Sequence, residues 1–147
     1  MKTIKFTLII LVSFLISCDP EPVAPDNTDV RTEISGDWSC AETEAEAGQD
    51  PVDFAVNIFK DTTSEDKIMI AGFHQINDTA YAVVNADNSV TIPEQTLGGY
   101  SKITGTGSID SGFTKIDWTY TAVEQGETIN YTASFTTGDI SKKKKLK

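Results

Sequence analysis

Few residue types in this chain could do chemistry. Its 147 residues hold two cysteines, Cys18 and Cys40, and one histidine, His74, beside 22 carboxylates and 12 lysines and arginines. A single histidine cannot build a histidine-rich metal site, and any Ser-His-Asp triad would have to use this one residue. His74 follows Gly72 and Phe73 and precedes Gln75, a setting that reads as the end of a strand rather than the seat of a general base. Cys40 alternates in phase with Trp38 and reads as a small buried hydrophobe. Asp37, Asp53, Asp61, Glu65, Asp66, Asp78 and Asp87 fall on outward strand positions or in turns, where solvation is the expected role, and spacing alone pairs none of them as acid and base. The oxygen-rich stretches Asp26-Asn27-Thr28-Asp29 and Asn85-Ala86-Asp87-Asn88 lack the EF-hand spacing. Gly105-Thr106-Gly107 lies inside a strand pattern and not before a helix, so it is no phosphate cradle. No catalytic residue, metal ligand or cofactor is expected, and the chain reads as non-enzymatic.

Cys18 is different, because of what precedes it. Lys2 and Lys5 form a basic start, and Phe6 to Ile16 is an apolar run broken only by Thr7 and Ser13. That is the layout of a secretory signal, and the run is too short for a spanning helix, which needs roughly 20 apolar residues. Leu15-Ile16-Ser17-Cys18 resembles a bacterial lipobox. The resemblance implies that residues 1–17 are removed, that the Cys18 thiol carries a diacylglycerol, and that the new amino group is acylated by a fatty acid such as palmitate. Only a thiolate is nucleophilic enough to take the lipid here. A Cys18–Cys40 disulfide in a secreted domain is the alternative. Two or three acyl chains hold a protein stably on a bilayer, each buried methylene contributing about 0.8 kcal/mol.

Residues 18–32 read as the lipidated cysteine followed by an extended acidic and Pro-rich tether. An acidic stretch behind the lipidated cysteine resembles the signal that sends lipoproteins of the Bacteroidota to the outer face of the outer membrane. Prolines interrupt it here, so the expected place is the outer membrane on either its periplasmic or its cell-surface face. Removal of residues 1–17 takes away two lysines and no acid and moves the net charge from -10 to -12. So acidic a body lacks the basic footprint of a nucleic-acid binder. The exception is the tail 138–147, with lysines at 142–145, which reads as solvated chain or as a contact for anionic lipid phosphates.

Between tether and tail, residues 33–137 suffice for one domain with one core. Period-two alternation recurs along them, with turn residues at near-regular intervals. Eight strands are expected. Ile34, Gly36, Trp38 and Cys40 share a face of the first, and Val52, Phe54, Val56 and Ile58 a face of the second. Ile68 and Ile70 mark the third, and Tyr81 and Val83 the fourth. Val90 and Ile92 mark a short fifth stopped by Pro93. Ile103, Gly105 and Gly107 line the sixth, where the glycines suggest a bulge or a close backbone approach. Ile116, Trp118 and Tyr120 line the seventh, and Ile129, Tyr131, Ala133 and Phe135 the eighth, joined by an EQGE hairpin turn. Ala41 to Gln49 has no apolar stripe and reads as a loop. Short turns throughout favour neighbour-to-neighbour antiparallel pairing, which closes into a single up-and-down β-barrel or flattened barrel. An immunoglobulin-like sandwich would want paired cysteines flanking a tryptophan.

Gly36-Asp37-Trp38 at the start of the first strand resembles the Gly-x-Trp of lipocalins, and the whole layout resembles the small lipocalin-like lipoproteins of the Bacteroidota. The resemblance implies an antiparallel barrel, often with a ligand cavity. The chain departs from it in having no helix after the last strand and in being shorter than a full lipocalin. Eight short strands leave an interior just wide enough for side chains, and Trp38, Phe54, Trp118 and Phe135 are expected to fill it. Asp61-Thr62-Thr63 and Asp78-Thr79-Ala80 resemble the short O-glycosylation acceptor of Bacteroidota. The expected function is a monomeric, non-enzymatic binding or interaction module, anchored to the membrane through Cys18. Its partner is an unknown small ligand, glycan or protein, contacted through the mouth or through a rim aromatic such as Tyr81 or Tyr100. The alternative is an inhibitor of an envelope hydrolase, or such a hydrolase itself.

Overall fold

The computed structural model describes residues 29–46, 48–99 and 101–138. The signal segment, Cys18, the tether up to residue 28, Tyr100 and residues 139–147 lie outside the described residues.

Alternation decides the architecture. Trp38 and Cys40 of β1 (Gly36–Glu44), Val56 and Ile58 of β2 (Val52–Lys60), and Ile68 and Ile70 of β3 (Lys67–Ala71) are all buried. So are Ala80 and Ala82 of β4 (Thr79–Val84), Val90 and Ile92 of β5 (Ser89–Leu97), and Ile103 of β6 (Ser101–Ile109). Ile116, Trp118 and Tyr120 of β7 (Lys115–Glu124) and Ala133 and Phe135 of β8 (Glu127–Thr136) complete the inner face. A sheet with one apolar face must bury it. Each strand pairs antiparallel with its sequence neighbour, and β8 returns to β1, with Ser39 opposite Thr136 and Glu44 opposite Tyr131. The result is a closed, eight-stranded, up-and-down barrel of the lipocalin-like kind, with no edge strand left open.

One end of the barrel is stoppered by α1 (Val30–Glu33). Asp29 caps this turn by accepting from the Arg31 N–H, and Arg31 forks onto the Asp29 carboxylate while donating to Ser64 O at 2.7 Å. Ile34, at the end of the turn, is fully buried, and the Trp38 indole donates to its carbonyl at 2.9 Å. Because β1 begins and β8 ends here, both ends of the described chain lie at this stoppered end. The opposite end is the mouth, formed by the loops β1–β2, β3–β4, β5–β6 and β7–β8.

Several expectations are corrected. Residues 29–32 are not extended tether but part of the stopper, and Ile34 belongs to it rather than to β1. Residues 41–44 are strand and not loop. The inward residues of β4 are Ala80 and Ala82, so Tyr81 and Val83 point outward, and Tyr81 lies under Lys67 Nζ, 5.2 Å from its ring centre. Phe54 is only half-buried. β5 does not stop at Pro93. Between Ile92, opposite Gly105, and Gln95, opposite Ile103, it carries one extra residue, and the bulge lets a residue without an N–H remain in a strand. The bulge leaves β4 short of partners, and the Gln95 amide fills the gap, accepting from Tyr81 N–H at 2.9 Å and donating to Tyr81 O at 2.7 Å.

The paired glycines of β6 mark a close approach. Gly105 lies opposite Tyr120 and Gly107 opposite Trp118. A β-carbon on Gly105 would sit 2.6 Å from Thr119 O, and one on Gly107 would sit 2.7 Å from the Trp118 indole.

Candidate functional site

The inward phase of the strands carries on past the apolar core into the mouth, where it places charge. Glu42 continues the Trp38–Cys40 face of β1, and Glu124 continues the Trp118–Tyr120–Ala122 face of β7. Into the space between them drops the 3-10 turn Phe73–Gln75, which connects β3 to β4. Gly72 enters the turn at φ 80°, and His74 and Gln75 follow at φ 54° and 57°. A non-glycine residue in the left-handed region costs roughly 1–2 kcal/mol, and two in succession need a compensating contact.

His74 supplies that contact. Its Nε2 lies 2.7 Å from Glu124 Oε1, and its Nδ1 lies 2.9 Å from Tyr120 Oη and 3.2 Å from Glu42 Oε2. The Tyr120 hydroxyl donates its one proton to Glu42 Oε2. Its oxygen can therefore only accept from Nδ1, so Nδ1 carries a proton. Nε2 faces a carboxylate oxygen and must carry one too, which makes the ring an imidazolium. Burial alone would lower the His74 pKa, but the hydrogen bonds and charges of Glu42 and Glu124 outweigh it and leave it raised. The side chains of His74 and Glu42 are 9% and 7% exposed, whereas Glu124 is 38% exposed, so the inner half of the clamp is desolvated and the outer half is wet. Burial, followed by the Glu42 charge, pushes the Tyr120 phenol far above its usual range, so it remains a donor. Tyr131 stacks on Tyr120 at 5.3 Å between ring centres and meets the His74 ring edge-on at 4.7 Å.

Below the clamp, Phe73 is buried in an aromatic cage. Its ring centre lies 4.9 Å from that of Tyr120, 5.9 Å from that of Trp118 and 6.0 Å from that of Phe135. Above the clamp is a cleft of about 300 Å³ lined by Glu42, Glu44, Gln49, Asp50, Glu124 and Tyr131. That volume is at the lower end of ordinary ligand sites.

His74 is the centre of the site and not a simple strand end, and three residues that no motif in the sequence marks, Glu42, Glu124 and Phe73, join it there. The first two were detectable, since each keeps its strand's inward phase. Phe73 was not, because it reaches the lumen from a loop. Cys40 is a buried free thiol, and burial together with the charges of Glu42 and Asp53 raises its pKa well above the thiol norm. It is therefore a poor nucleophile.

The carboxylates expected in turns do local work. Asp61 accepts from Thr63 N–H and hydroxyl, Asp87 from Ser89 N–H and hydroxyl, and Asp78 from Thr79 N–H and Gly98 N–H. Among the described residues, no group of three His, Cys, Asp or Glu is placed to hold a metal ion. A scan against models of known protein families finds no match for the chain, and a search of curated proteins finds none either.

Proposed function

We propose that this chain is an envelope lipoprotein whose barrel serves as a non-enzymatic binding module, anchored to the outer membrane through acylated Cys18 and taking a small ligand at its mouth. The observation that carries the reading is polarity along the barrel axis. The described chain ends at the stoppered end, and the cleft with its charged clamp is at the other. A lipid attached upstream of α1 leaves the mouth facing away from the bilayer, where a ligand can reach it. A binding role is supported further by the state of His74: both ring nitrogens are spent on hydrogen bonds within the protein, which suits a fixed charge better than a proton-transfer group.

Native mass spectrometry of the full chain, extracted from its own membrane in mild detergent, tests the proposal. The expected spectrum shows a chain beginning at Cys18 with covalent acyl mass and free Cys40, plus a non-covalent small-molecule mass that leaves on activation. A lipid-free chain with a Cys18–Cys40 disulfide and no adduct would overturn both the anchor and the binding role.

A further inference from the structure

The clamp and the cage together have the form of an occupied binding site whose occupant is the protein's own loop. Phe73 and His74 are adjacent residues, one presenting an aryl ring and the other a cation. The aryl ring sits inside Trp118, Tyr120 and Phe135, and the cation sits between Glu42 and Glu124. The two rings reach these positions through a backbone held in left-handed conformations at three of four consecutive residues, Gly72, His74 and Gln75, with Phe73 between the first two. A turn under such strain is held in place by the contacts of Phe73 and His74, so a ligand that takes over those contacts can release it. The cleft above it gives a ligand a way in and room for its outer portion.

We propose that the barrel mouth binds a small aromatic amine, an aryl ring a few bonds from a protonated nitrogen, and that Phe73 and His74 fill this site as a built-in surrogate until the ligand displaces them. The inference rests on the binding-module reading and names its ligand class. The chemistry is matched part by part. An aryl ring replaces the Phe73 ring in its edge-on and tilted contacts with three aromatic rings. An ammonium replaces the His74 imidazolium and keeps the Glu42 carboxylate from being left buried without a countercharge. A neutral aromatic satisfies only the first condition, and an aliphatic amine only the second.

Titration of the detergent-solubilised full chain with phenethylamine, 2-phenylethanol and butylamine, followed by calorimetry and by the emission of its two tryptophans, tests this. Phenethylamine is expected to bind saturably and at least tenfold more tightly than either control. Glu124→Gln removes a carboxylate that only a cation uses in the liganded state and is expected to narrow the preference for phenethylamine over 2-phenylethanol several-fold. His74→Ala, which removes the surrogate cation, is expected to tighten phenethylamine and to gain more thermal stability from it than the parent chain does. Equal binding of the alcohol and the amine, or an unchanged preference between them in Glu124→Gln, would overturn the proposal even if His74→Ala failed to fold. If phenethylamine does not bind while the chain from its membrane carries some other small molecule, the amine falls and the binding module stands. If neither is found, both fall.

Discussion

At the scale of single residues, the barrel mouth is governed by one buried charge and the groups that answer it. Taking one partner from a buried ion pair is costly because the other stays behind in low dielectric. His74→Ala should therefore lose about 3–5 kcal/mol of stability in denaturant unfolding, and Glu42→Gln added to it should restore a good part of that. A small loss for His74→Ala alone would mean that the clamp is solvated. The pH dependence follows from the raised pKa of His74. The folded state holds the proton more tightly than the unfolded chain, so the stabilisation is fully present below the unfolded histidine value, about 6.5, and is lost as pH rises through the folded value. The melting temperature should fall between near-neutral and mildly alkaline pH, and in Glu42→Gln this fall should be smaller. Tyr120→Phe removes the donor to Glu42 and the acceptor for Nδ1 together, and should cost about 1–3 kcal/mol for the polar groups it leaves unmet.

At the scale of elements, two strands are shaped by features that oppose ordinary sheet behaviour. β6 gives up side chains at Gly105, where the β7 backbone and the Tyr120 β-carbon come close, and at Gly107, where the Trp118 ring lies against its backbone. Alanine at Gly105 would meet backbone on β7, which cannot step aside, and should cost more than the roughly 1–3 kcal/mol typical of overpacking. β5 keeps Pro93 by bulging, and the seam it opens against β4 is closed by Gln95. Gln95→Ala should speed hydrogen exchange at the Tyr81 amide while leaving that of Ile70 slow, and unchanged exchange at Tyr81 would show that the side chain is not its partner.

These elements also show where the sequence could be read. All eight strands were legible because most of the chain alternates between a buried and a solvated face, and of the bulge, sharp coiling or close approach that the glycine pair suggests, the close approach is what β6 shows. What escaped was decided across the barrel. Ala80 and Ala82 rather than Tyr81 and Val83 face inward because the registry with β3 sets the phase of β4, and local hydrophobicity gave the opposite impression. Pro93 looked like a stop because it has no N–H to give a ladder, and the bulge that carries β5 past it is set by the pairing with β6. Phe73 and His74 looked peripheral because a seven-residue connection gives no period to follow, and Glu42 was hidden in an acidic run read as loop. The residues of the site that alternate could be found by phase; those delivered by the loop could not.

At the scale of the whole molecule, the barrel has two unlike ends. Asp29, Arg31, Ile34 and Trp38 tie the incoming chain across the stoppered end, and the mouth carries the charge and the cleft. On the proposed anchoring, Cys18→Ser should move the protein from the membrane to the soluble fraction. Retention on the membrane after that change would place the attachment elsewhere.

The central claim is that a cationic His74, held between Glu42 and Glu124, closes the mouth where a ligand is taken. Nitrogen-15 NMR of the imidazole tests it most directly, because the chain has one histidine and so one pair of ring signals. The account predicts that both nitrogens are protonated at neutral pH, with a titration midpoint above that of a free histidine and lowered in Glu42→Gln. A neutral tautomer at neutral pH, titrating at or below the free value and indifferent to Glu42, would contradict it.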